Sequence, residues 1–264
     1  MANWKLTNED LYLLVKMLGG KVLIGVSNPF PHYGENELEK EWERMFKKLH
    51  GMELVDYIDG ELKFDEPFIG AMWVLARSKL VAEVVIDEEE QSLFYFSDEI
   101  VVECMKEDES GFRIYTHPAP EWTMKQVIFP RMLMGIEDRT VRMNDLLCLL
   151  PRDYDQYSKE QDIFNLDQVR INNELGENSL LVKQFRRSVQ RKIHSNRLMV
   201  FYRSESEWAI EGVHVLSSPS YNWTLRMVNK DGIEWLHARQ AAGEVLVKEI
   251  TGTFERVKQK QQVH

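Results

Sequence analysis

Residues 80–116 read LVAEVVIDEEEQSLFYFSDEIVVECMKEDESGFRIYT. Four apolar, β-branched or aromatic runs stand out, at 81–86, 92–97, 100–105 and 112–116. Acidic turns at 87–91 and 106–111 separate the first pair and the last pair. Runs of this length and composition, bounded by polar turns, predict strands. Consecutive strands on short turns pair with their neighbours, so the stretch predicts an antiparallel meander.

Before the meander the period is helical. Residues 7–18 place Leu11, Leu14, Val15 and Leu18 on one face. Thr7 stands at the N-cap, with Asp10 three residues on as a capping-box partner. Gly19 and Gly20 stop the helix. Residues 35–50 predict a second helix, with Leu38, Trp42, Met45 and Leu49 aligned. An Asp59–Gly60 turn then joins two short strands. Residues 67–79 predict a third helix with Phe68, Met72, Leu75 and Ala76 inward. After the meander, Pro118 and Pro120 introduce a helix over 121–134, which Pro130 shortens or kinks.

The second half follows the same plan. VRMNDLLCLL, residues 141–150, echoes the first helix. Residues 179–194 predict a long helix. Strands are expected at 198–202, 208–215, 223–228 and 233–238, and a last helix at 242–257. The expected fold class is therefore α+β, with antiparallel β meanders covered by helices. Two similar halves, 1–136 and 137–264, are expected to be related by a pseudo-two-fold axis and to form one compact unit.

Composition narrows the function. The chain has 264 residues and a formal charge of -10. That balance repels nucleic acid and anionic membranes. Two cysteines in apolar surroundings, Cys104 and Cys148, predict reduced thiols rather than a disulfide framework. No signal-peptide pattern opens the sequence, and no apolar run approaches the roughly 18 residues of a membrane span. A cytoplasmic protein without membrane insertion is expected.

The motifs of catalysis are missing. No G-x-S-x-G elbow, phosphate loop or dinucleotide fingerprint occurs. The seven histidines have no metal-motif spacing. No enzyme activity, cofactor or metal is expected. Two segments qualify as contact surfaces. Lys183, Arg187 and Arg191 recur every fourth residue, opposite the stripe Leu181, Phe185, Val189 and Ile193. This is either a docking face for an acidic helix or a solvated face. Ser217, Ser218, Pro219, Ser220, Tyr221 and Asn222 form a polar loop running into Trp223. It is either a binding loop, since loop aromatics give much contact area at small entropic cost, or an ordinary strand connection. A winged-helix DNA-binding regulator is the alternative reading of the first 80 residues. Against it, the second helix carries Glu35, Glu37, Glu39, Glu41 and Glu43, where a phosphate-facing helix should be basic.

Three stretches carry a family resemblance: LTNEDLYLLVKMLGG at 6–20, KKLHGMELVDYIDGELKFD at 47–65, and WVLARSKLVAEVVI at 73–86. They resemble the EspG-like proteins of the type VII (ESX) secretion systems, with the Gram-positive, EsaE-like relatives the closer likeness. The resemblance implies a pseudo-two-fold α+β fold and a cytosolic chaperone without cofactor. It implies a helical secreted substrate protein as partner, presented to the secretion ATPase. Mycobacterial members carry a long, substrate-gripping connection after the second strand of the first meander. Here that place holds only Ser97, Asp98 and Glu99. The 217–222 loop is the expected substitute.

Overall fold

The computed structural model describes residues 3–58, 60–108, 111–141, 145–159, 180–204 and 207–262. The fold is α+β. Contacts divide the chain into two units, 1–81 with 92–123, and 82–91 with 124–264.

The first unit opens on a strand that the sequence reading missed, β1 (Asn3–Thr7). It pairs antiparallel with β7 (Gly111–His117), which pairs with β6 (Val101–Asp108), which pairs with β5 (Glu90–Phe96). Trp4 and Leu6 face inward, Lys5 outward. The signal was that alternation, in a strand too short to stand out.

Thr7 then caps α1 (Asn8–Met17). Its hydroxyl accepts from the Asp10 N–H, and the Asp10 carboxylate accepts from the Thr7 N–H, so the predicted capping box forms. Asp10 is buried and also takes the charges of Lys48 and Arg44 from α2 (Glu35–Gly51). Buried charge is tolerable only when matched in this way. On α2 only Met45 and Leu49 are buried, so that helix is held by a narrow stripe.

The strands β2 (Val55–Ile58) and β3 (Glu61–Phe64) form a separate hairpin. Of its predicted turn, Gly60 is at positive φ and Asp59 lies outside the described residues. Asp65 caps α3 (Glu66–Arg77), whose Phe68, Ala71, Met72 and Leu75 are buried. Trp4 meets Phe68 edge-on at 5.4 Å between centroids. The connection from β5 to β6 is the expected tight turn, with the Ser97 N–H donating to the Ile100 carbonyl at 3.0 Å.

In the second unit, β4 (Leu80–Ile86) lies beside β9 (His194–Ser204). Antiparallel pairing continues through β10 (Glu207–Ser217), β11 (Asn222–Lys230) and β12 (Ile233–Gln240). The first unit ends on α4 (Pro120–Thr123), and the second continues with a π-helical turn (Met124–Ile128) and α5 (Phe129–Met132). Residues 120–132 are helical without a break, and the irregularity expected of Pro130 falls in the π-helical turn just before it.

One expectation is overturned. Of the stretch 141–150, residues 142–144 lie outside the described residues, and 145–150 are not helical. Its described apolar part is the strand β8 (Leu147–Leu149), antiparallel to β12. A continuous apolar run fits a strand buried on both faces as well as a buried helix. Leu147, Cys148 and Leu149 are all buried, and Pro151 opens a new helix, α6 (Pro151–Lys159).

Two helices cover the sheet of this unit from opposite sides. Leu181, Val182, Phe185 and Val189 of α7 (Leu180–Gln190) pack on Leu147, Leu149, Leu216, Trp223, Leu225 and Ala238. Phe185 meets Trp223 edge-on at 5.0 Å, a geometry worth about 0.5–1.5 kcal/mol beyond burial. Helix α8 (Glu244–Gln262) lies against β9 and β10, with Leu246, Ile250, Phe254 and Val257 buried.

Candidate functional site

Strand alternation decides which side chains α7 can cover. Pairing registers place Met199 and Arg197 of β9, Ile210, Gly212 and His214 of β10, and Leu225 and Met227 of β11 on one face. Helix α7 covers this face only near Trp223 and Leu225. Beyond it lies an open cleft of about 390 Å³, bordered by Tyr154 and Pro151 of α6 and by Glu234 and Leu236 of β12. Ile210 is 51% and Met227 45% exposed. Two methionines and an isoleucine thus leave apolar surface open on this face.

One wall of the cleft is polar. The Ser195 hydroxyl lies 2.9 Å from His214 Nε2, and the Tyr154 ring stands edge-on to the same imidazole. Burial, followed by Arg197 and Lys192, lowers the His214 pKa to about 4, against a weaker pull from Glu88. The imidazole is therefore neutral at pH 7. Burial, Glu88 and Asp155 push the Tyr154 phenol up. Behind them, the turn after β4 puts Asp87 and Glu88 at positive φ, with the Glu89 N–H donating to the Ile86 carbonyl. Asp87 holds His194 Nδ1 at 2.9 Å and the Ser195 N–H at 2.8 Å. Partial burial opposes ionisation of Asp87, but the hydrogen bonds from His194 and Ser195 outweigh it and keep its pKa low.

A pH effect follows. Unfolded His214 binds a proton below about pH 6.5, whereas the folded protein binds it only below about pH 4. Stability contributed by neutral His214 is present above pH 6.5 and is lost as pH falls toward 4. The full shift sets a ceiling of about 3 kcal/mol. The loss is smaller because the ring borders an open cleft. Denaturation of the wild type and His214→Gln at pH 7 and pH 4.5 checks this: the variant should lose less stability between the two.

The predicted contact residues lie in two places. Lys183 and Arg187 are exposed on α7, and Arg191 is exposed just past its end. The expected apolar stripe behind them holds for Leu181, Phe185 and Val189, while Ile193 lies beyond the helix and is exposed. In the 217–222 loop, Ser217, Ser218 and Asn222 are buried. Ser217 donates to Asn222 Oδ1, and Asn222 Nδ2 to the Glu137 carbonyl. Ser218 donates to Ser188 of α7, which also accepts the Trp223 indole N–H. Those side chains pin the loop. Ser220 is exposed and Tyr221 half-buried. Met199, Ile210 and Met227, which border the cleft, were not singled out from the sequence: alternation was legible, but which face a helix leaves open was not.

Among the described residues, no group of three or more His, Cys, Asp or Glu side chains could hold a metal. Also among them, no helix is long and apolar enough to cross a membrane.

In the second unit an antiparallel sheet thus carries helices on both sides and leaves an apolar strip bare. No protein-family profile matches the chain, and no curated protein matches it. Among solved structures, it is similar to the Mycobacterium tuberculosis type VII secretion system chaperone EspG5, solved in complex with the PE25–PPE41 dimer. The likeness has a TM-score of 0.62 at 8% identity and covers 96% of each chain. It is a likeness of fold.

Proposed function

We propose that this protein is a cytosolic chaperone, or adaptor, of a type VII secretion system that holds a helical secreted protein before export. The observation that carries this is the fold likeness to EspG5 along 96% of both chains. The open strip of Met199, Ile210 and Met227 supports it, since an exported helical pair needs its apolar tip covered. Specific association buries roughly 1,600 Å² in total, and release requires moderate affinity. The held protein then passes to the secretion ATPase. The winged-helix alternative gains no support: its would-be recognition helix α2 exposes Glu35, Glu37, Glu39 and Glu43.

In the same reading the halves 1–136 and 137–264 descend from one plan. Their strand order supports this. The strand before the helices of each half pairs with the last strand of its meander, β1 with β7 and β8 with β12.

Co-expression with the helical exported proteins of a type VII locus should yield a co-purifying complex. Recovery of the chain alone in every pairing sinks the proposal.

The exposed cations of α7, with Tyr221 and Ser220 beside them in the proposal, serve as a second contact for an acidic partner segment. Reversing Lys183, Arg187 and Arg191 to Glu should leave the circular dichroism spectrum unchanged. Partner affinity at low salt should fall by about tenfold or more. An unchanged Kd in calorimetry would mark the face as merely solvated.

A further inference from the structure

The opposite face of the same sheet carries a different chemistry. Thr224 stands directly across from Arg239, and Arg226 directly across from His237. Alternation turns all four to the side that faces α8. With Leu146 and Glu249 they line a pocket of about 210 Å³.

The charges around this pocket do not balance. Glu249 pairs with Arg239. Glu211 pairs with both Arg256, at 3.1 Å, and Lys260. Arg226 pairs with no acid among the described residues, so of the lining side chains two cations, Arg226 and Arg239, face one carboxylate, Glu249. Burial and the nearby Arg256 guanidinium lower the pKa of Arg226, against the pull of Glu211, and Arg239 adds to the crowding. A guanidinium still stays charged under such pressure. The surplus sits in a concavity of a chain whose net charge is -10.

We propose that this pocket is an oxyanion site, where Arg226 takes a phosphate or carboxylate group through its planar fork and Thr224 and Arg239 complete the cradle. The fork matches either group by two parallel N–H···O bonds. The pocket volume admits one such group and not a nucleotide. His237 adds one more ring nitrogen to the wall. The occupant is an inorganic phosphate-type ion or the carboxylate of a partner's acidic side chain or C-terminus. The chemistry is shared, and the test separates the sources. The inference stands on the pocket alone and does not depend on the chaperone reading.

The experiment is calorimetric titration of the full chain in chloride buffer. One arm uses inorganic phosphate, the other an N-acetylated dipeptide ending in a free carboxylate. Saturable binding of either is expected, and the tighter one names the source. Arg226→Gln should weaken it by at least about tenfold, the worth of a lost charge-assisted pair. Arg226→Lys, which keeps the charge without the fork, should weaken it less. Circular dichroism verifies folding. Should Arg226→Gln not fold, Arg226→Lys and Thr224→Val carry the comparison. No binding of either probe by the wild type at about 10 mM, weaker than any useful charge-assisted site, overturns the proposal. So does wild-type affinity in the folded Arg226 variants.

Discussion

Glu103→Ala should destabilise the first unit by about 2–4 kcal/mol, the cost of a buried hydrogen-bond partner left unmet together with the void of the lost side chain. Glu103 is fully buried on β6. One carboxylate oxygen accepts from the Ser92 hydroxyl at 2.9 Å, and the other lies 2.8 Å from His117 Nε2. Ser92 is on β5 and His117 on β7, so the carboxylate ties three neighbouring strands by their side chains. His117 in turn lies between Phe94 and Trp122 at 6.2 and 6.3 Å between centroids. Truncation to alanine leaves the buried His117 imidazole facing a void. Each unmet polar group costs about 1–3 kcal/mol, and the void adds to it. Glu103→Gln keeps the shape and an acceptor and should cost less than half as much. The double variant Glu103→Leu with His117→Leu should be less damaging than the sum of the two single leucine variants, because neither member of this contact is left facing the other's void. Urea midpoints for the wild type, these variants and the two single leucine variants settle it. A midpoint for Glu103→Ala within error of wild type would mean the carboxylate is solvated and the network idle.

That network was invisible in the sequence. A glutamate between Val102 and Cys104 reads as the outward residue of an alternating strand. Only the strand register brings Ser92 and His117 to it. The meanders themselves were legible because runs of β-branched and aromatic residues alternate with acidic or Gly-containing turns. Helix α1 was legible because cap, stripe and stop all agree. The stretch 141–150 was misread because Leu-Leu-Cys-Leu-Leu has no period at all, and tertiary pairing with β12 decided its form.

The surroundings of the expected contact residues were legible only in part. Polar residues near Tyr221 look like a surface loop, yet Ser217, Ser218 and Asn222 satisfy one another, Ser188 and the Glu137 carbonyl instead. Short polar side chains bond to nearby backbone as readily as to a partner. The sequence cannot say which. The cations of α7 were read from spacing alone, and their exposure follows from that spacing once the opposite stripe is buried.

The second large effect belongs to the cleft and rests on the proposed function. Ile210→Glu combined with Met227→Glu should weaken binding of the helical partner by at least about 100-fold, as expected when charges enter the centre of an apolar contact. The folded state should be spared, because both side chains are already about half exposed and no core contact is lost. Val247→Glu is the matched control, a 40% exposed apolar residue on α8, away from the cleft. It should leave affinity unchanged within about twofold, as for an exposed residue outside the interface. The comparison separates place from hydrophobicity. If loss of surface hydrophobicity alone mattered, all three positions would act alike. If the helical partner instead sat on the α7 cations, the triple charge reversal would remove binding and the cleft variant would not. Equal affinity for the cleft variant and the wild type, measured with a partner that co-purifies with the wild type, would take the cleft out of the interface and leave the chaperone reading to the α7 face.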